Sequence, residues 1–217
     1  MPEQLLALAA IFGSSFLIGL SGAVPPGPMF AATVAHSARG GFWAGPLIVL
    51  GHGALELGVV IGVSYGLASL LQASAVRGGI ALGGAAMLLY MGLGLVRHVR
   101  QLSFEASAQT SASRARSFAA GVVTSLSNPY WSLWWASVGV SYINLAADQG
   151  LAGAVSFYTG HISADLSWFS LVALVASRGG RGALPAKAYR AVIIGCAAVM
   201  IGFGAYFGWA GVRWLSE

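Results

Sequence analysis

Between its charged residues this chain runs in apolar stretches long enough to cross a bilayer, and no other feature limits its fold so strongly. A helix crossing ~30 Å of hydrocarbon needs about 20 apolar residues. Six such stretches follow one another: Gln4 to Ala35, Phe42 to Gln72 with Glu56 as its only formal charge, Gly78 to Val96, Phe118 to about Leu145, Leu151 to Ser177 with Asp165 as its only formal charge, and Ala191 to Val212. The expected fold is therefore an all-α membrane protein of six transmembrane helices. The first span is too long for one straight helix and is broken at Pro25-Pro26-Gly27-Pro28; the fourth is broken at Asn128-Pro129.

Composition excludes a soluble alternative. Apolar side chains make up 57% of the 217 residues and charged ones only 8%, where soluble domains carry roughly 25%. Six carboxylates and eleven Lys and Arg are too few to cover a soluble surface. The opening Met1-Pro2-Glu3-Gln4 holds no Lys or Arg, so a cleavable signal peptide is not expected. The lone Cys196 excludes an intramolecular disulfide and a dithiol relay, and its apolar setting predicts a packed thiol. No nucleic-acid motif is present.

Basic residues divide unevenly over alternate loops. One side holds Arg39, Arg97, Arg100, Arg114, Arg116, Arg178, Arg181, Lys187 and Arg190, and the other holds Arg77 and Arg213. Positive residues gather in cytoplasmic loops, which predicts a cytoplasmic central loop and both termini outside. That loop, rich in Ser, Ala and Gln, reads as a solvated linker over residues 101–117. It separates a first repeat, 1–100, from a second, 118–217, within a single transporter domain.

The repeat is written in the sequence. Gly51-His52-Gly53-Ala54-Leu55-Glu56-Leu57 in span two is matched by Gly160-His161-Ile162-Ser163-Ala164-Asp165-Leu166 in span five. Each motif follows a span interrupted by proline. With an odd number of spans per half, the second half inserts upside down, the inverted-repeat plan of many secondary transporters.

A carboxylate at mid-helix costs about 2.5 to 3.5 kcal/mol on insertion scales, so Glu56 and Asp165 should face the bundle interior, and a pseudo-twofold axis would bring His52, Glu56, His161 and Asp165 together at the midplane. A His four residues before an acid shares its helix face. Such a cluster suits proton coupling, loading and unloading protons as a cavity alternates, or equally a divalent cation held by two imidazoles and two carboxylates. It also fits plain polar packing between spans. The residues alone do not separate these.

The chain breaks point to cargo. Proline removes a backbone donor, and irregular backbone at membrane depth persists only where it lines a cavity or packs on protein. Beyond Pro28, Met29 to Ala35 is expected to form a half-helix whose N-terminus faces an anionic group, and Asn128 supplies an amide in the matching place. Trp131, Trp134 and Trp135 read as interfacial anchors or packing. Gly79-x-x-x-Gly83 and Gly204-x-x-x-Gly208 read as close helix contacts inside the bundle, and a homo-oligomer is left open.

Gly22-Ala23-Val24-Pro25-Pro26-Gly27-Pro28 with Gly40-Gly41-x-x-x-Gly45, and Ser127-Asn128-Pro129 in span four, resemble the signatures of the LysE/RhtB-type amino-acid exporters. The resemblance extends over the whole chain. It implies ion-driven efflux of amino acids or related metabolites across the inner membrane, with no enzymatic activity and no cofactor. For the substrate it implies Pro26, Gly27, Pro28, Asn128 and Pro129, and Pro25 at the same break is expected to join them. Many members carry a polar residue where this chain has Met29, and the wider superfamily also resembles manganese and cadmium exporters. The partners expected are the small-molecule substrate, a coupling ion and the lipid bilayer.

Overall fold

The computed structural model describes residues 2–67, 70, 73–99, 113–178 and 186–216, and among these the secondary structure is helical throughout. Helix α1 spans Pro2–Ala23 and α2 spans Pro28–Gly40, with the Pro-Pro-Gly-Pro break between them. Helix α3, Ala44–Gly62, runs into a kink at Val63–Leu67, where Tyr65 and Gly66 leave helical geometry and Gly66 takes φ 100°. Then come α4, Ser74–Val99, and α5, Arg114–Leu126. Past the second break lie α6, Pro129–Trp134, a π turn at Trp135–Gly139, and α7, Val140–Ala147. Helices α8, Gly150–Arg178, and α9, Ala186–Ser216, complete the chain.

Four segments are long and apolar enough to cross a membrane by length and composition: Pro2–Ala23, Ala44–Leu67, Ser74–Arg97 and Ile194–Ser216. The other two expected spans differ for physical reasons. The α5–α7 run is divided at Asn128. Helix α8 has 29 residues, but Ser156, Thr159, His161, Ser163, Asp165 and Ser167 dilute the apolar character of its middle. At the expected linker, residues 100–112 lie outside the described ones; α5 already starts at Arg114, because the Ser113 hydroxyl accepts the Arg116 amide at 3.3 Å and caps it.

Both breaks follow from local chemistry. Pro28 and Pro129 each open a helix, where the missing N–H costs nothing. Asn128 caps α6 by accepting the Tyr130 amide at 3.1 Å. Gly27 has no side chain to do the same for α2. Where α2 ends, Gly41 turns the chain at φ 81°, in the left-handed region that disfavours other residues, and its amide bonds the Ser37 carbonyl at 2.9 Å.

The helices pair across the two halves of the chain. Helices α1 and α2 run along α8 in the same direction: the Ser156 hydroxyl bonds the Leu8 carbonyl, and Val34 packs on Val172 and Ala176. The α5–α7 run lies along α3 in the same way, from the contact of Gly121 with Ile48 to the cluster joining Val63 with Ile143. Helices α3 and α8 cross antiparallel, with Gly45 against Phe169 and Ala173, and Gly53 against Tyr158 and Ile162. Helices α4 and α9 form a second antiparallel pair, in which Gly78 meets Leu215 and Gly92 meets Ile201. Gly204 sits against Ala85 and Leu89, as expected of its motif, whereas Gly79 and Gly83 have nothing within 4 Å. Cys196 is a buried free thiol.

Candidate functional site

The α3–α8 crossing sets the site. His52 and Glu56 are one helical turn apart on α3, His161 and Asp165 one turn apart on α8, and all four are buried. The geometry is tight. His52 Nε2 lies 3.0 Å from Glu56 Oε1 and 3.6 Å from Asp165 Oδ2, while His161 Nε2 lies 3.2 Å and 3.5 Å from the same two atoms. The sequence expectation that these four side chains meet and turn away from lipid agrees with this arrangement.

Two indoles missed as site residues complete it. Trp131 and Trp135 donate their Nε1–H groups to Glu56 Oε1 at 3.1 Å and 3.0 Å. Trp134 tilts over His161, with ring centroids 4.8 Å apart. Of the two readings given to these tryptophans, interfacial anchors or packing, the structure agrees with packing: Trp134 and Trp135 are buried in a core cluster and Trp131 packs against it. Gly139 explains part of the placement, because a Cβ there would collide with the Trp135 ring. The signal was present in the i, i+4 spacing of Trp131 and Trp135 just after the break: a buried carboxylate needs N–H donors, and indoles supply them.

Hydrogen bonding also assigns a tautomer. The Ser125 hydroxyl donates to the Gly121 carbonyl at 2.7 Å, so its oxygen must accept from His52 Nδ1, which lies 2.7 Å away. His52 therefore carries a proton on Nδ1. Its Nε2 lies 3.0 Å from Glu56 Oε1, within reach of a shared proton. Four nitrogens thus surround Glu56 Oε1, although a carboxylate oxygen offers only about two acceptor sites. Meanwhile Glu56 Oε2, Asp165 Oδ2, His161 Nδ1 and Trp134 Nε1 are buried without a hydrogen-bond partner.

These groups line a cavity of about 50 Å³. Pro25, Gly27, Met29 and Phe30 reach it from the first break, Asn128 and Tyr130 from the second, and Thr124 and Ser125 from α5. The two breaks and the four buried groups, expected separately from the sequence, are thus neighbours around one space. Pro28 and Pro129 themselves are buried in the supporting helices. The space holds a few waters; small-molecule pockets run to about 300–1,000 Å³.

Residues 20–211 match the family model described as LysE type translocator. The chain belongs to that family. Together with its apolar helices, membership makes this LysE-type chain a multi-pass membrane protein of the transporter class. It is similar to "Putative amino acid efflux protein YcgF" of Bacillus subtilis (strain 168), at 30% identity over 207 residues, covering 94% of this chain and 98% of that protein. It is also similar to "Chemotactic transduction protein ChpE" of Pseudomonas aeruginosa, at 30% identity over 172 residues, 77% of this chain and 83% of that one. No solved structure matches the chain. The resemblance read from the proline motifs and the family match agree.

Proposed function

We propose that this LysE-type translocator is a secondary exporter of amino acids or related small metabolites, coupled to protons and working by alternating access. The observation that carries the reading is the buried cluster of two imidazoles and two carboxylates beside a cavity onto which both chain breaks open. His52 Nε2 and Glu56 Oε1 stand at hydrogen-bond distance, so the pair is placed to share or pass a proton, and the second Glu56 oxygen has no partner of its own. The small cavity suits a closed stage of the cycle. The printed name of the B. subtilis relative supports amino acids as cargo.

Cross-pairing of the halves supports six spans arranged as two inverted repeats: each broken span lies beside the other half's His-acid helix. Pro25, Pro26, Gly27, Pro28, Asn128 and Pro129 then serve the cargo path, and His52, Glu56, His161 and Asp165 serve coupling. Arg39, Arg114, Arg116 and Arg178 gather at one end of the bundle, with Arg77 and Arg213 at the other, which supports a cytoplasmic central loop and outward termini in the inner membrane. In a Cys196→Ala background, Ala115→Cys is expected to react with impermeant reagent only from the cytoplasmic side and Ser216→Cys only from outside. The reverse pattern would invert the topology.

The direct test is counterflow in proteoliposomes, taking each of the twenty L-amino acids in turn. At least one is expected to be moved in a manner that an imposed proton gradient drives and a protonophore stops. Failure of all twenty overturns the reading. A second reading, export of a divalent metal as cargo, is favoured by the ligand atoms of His52, Glu56 and Asp165, which lie within 4.8 Å of one another. Against it, two indole N–H donors already occupy Glu56 Oε1. Manganese, zinc and cadmium are expected to leave the melting temperature of purified protein unchanged; stabilisation by any of them that His52→Gln or His161→Gln removes establishes the metal reading instead.

A further inference from the structure

The unsatisfied groups around the cavity are of two kinds, and they come from different elements. Acceptors come from the crossing of α3 and α8: Glu56 Oε2 is buried without a hydrogen-bond partner, and Asp165 Oδ2 has only the His52 and His161 imidazoles at 3.6 Å and 3.5 Å, too long for a good hydrogen bond. Donors come from the broken spans. Trp134 Nε1 is buried without a partner, with Gly22 on the opposite side leaving it open: a Cβ there would stand 3.7 Å away. Helix α2 begins with no side-chain cap, and Gly27, Met29 and Phe30 of its first turn line the same cavity, which puts the positive end of the helix dipole beside it. The counterpart break is different, since Asn128 already caps α6.

Leaving a buried donor or acceptor unpaired costs about 1 to 3 kcal/mol, and more for charged groups. Several together around one cavity describe a ligand by its complement. The complement of two carboxylate oxygens is a cation with several N–H donors, and the complement of an indole N–H beside a helix N-terminus is an anion. A molecule carrying both charges has a partner for each set around this one cavity.

We propose that this cavity reads the two charges of an α-amino acid separately: Glu56 Oε2 and Asp165 Oδ2 take the α-ammonium, and the uncapped start of α2 with the Trp134 indole takes the α-carboxylate. This rests on the exporter reading above and adds to it a requirement for both free charged groups, whatever the side chain. Specificity for the side chain then lies outside this cavity, which must widen to admit it.

The test uses whole purified protein and the amino acid that counterflow identifies as best transported, together with its N-acetyl derivative and its α-amide. Binding is read by competition against the labelled parent. Each modification is expected to weaken binding at least tenfold, roughly the loss of one hydrogen bond to a charged group. Trp134→Phe keeps a ring over His161 and removes only the donor. It should weaken the parent amino acid about tenfold and leave the α-amide's affinity unchanged. Equal binding of parent and N-acetyl derivative overturns the ammonium assignment. An equal loss for parent and α-amide in Trp134→Phe overturns the carboxylate assignment. Both results leave the exporter reading standing. Absence of binding and transport for all twenty amino acids removes both together.

Discussion

Glu56→Gln is expected to lower proton-driven transport in proteoliposomes by about 100-fold or more while the protein still folds. The amide oxygen of Gln can go on accepting the Trp131 and Trp135 indole hydrogens, so the packing of α6 against α3 is kept. What is lost is the charge and the capacity of the group to take up and release a proton. An amide does neither, so the coupled step is removed rather than weakened, without any change of fold. Asp165→Asn should behave alike. His52→Gln and His161→Gln are expected to keep partial activity, because the acids remain. Wild-type rates in either acid variant would refute the coupling role of the cluster.

Gly121→Ala should be the most damaging small substitution in the membrane core. A Cβ at Gly121 would fall on the Ile48 carbonyl, and one at Gly51 on the Phe118 carbonyl, so α3 and α5 touch backbone to backbone. Neither neighbour is a flexible side-chain tip that can swing away. Overpacking costs about 1 to 3 kcal/mol and more where backbone must move, so roughly 3 kcal/mol is expected here, or about 6 to 12 °C in melting temperature for a chain of this size. The Ser125 hydroxyl bonds the Gly121 carbonyl and holds His52, so activity should fall with stability. Gly79→Ala, with nothing within 4 Å, serves as the control and should be silent. Equal melting of both variants would show that the close crossing is not limiting.

The pattern of legibility in the sequence follows from physics. Helix positions were readable because a bilayer demands uninterrupted apolar length, and the breaks because proline has a single mechanical meaning. The paired Gly-His-x-x-x-acid-Leu motifs announced the meeting of four polar side chains because burial of a carboxylate has few solutions. Four things were hidden. The tryptophans of α6 have an ambiguous chemistry, apolar body with one N–H, that suits an interface as well as an acid. Ser125 is one among many small hydroxyl residues, and only its place opposite His52 sets it apart. The early start of α5 lay in a stretch whose arginines read as solvated loop, although Ser113 offers a cap. Nor does sequence distance show that α1 and α2 belong beside α8 rather than beside their own half.

That cross-pairing bears on how the protein is made. Glu56 enters the membrane well before its partners exist: Trp135 comes 79 residues later and His161 105 residues later. At synthesis rates of about 5 to 20 residues per second, the acid waits roughly 5 to 20 seconds with only His52 for company. During that interval α3 is a hydrophobic helix with an unpartnered carboxylate at its centre, poorly held by lipid alone. A chain truncated before α8 leaves Glu56 without its indole-lined, His161-paired setting complete, and is expected to be degraded faster in the membrane than the full chain, as a pulse-chase would read.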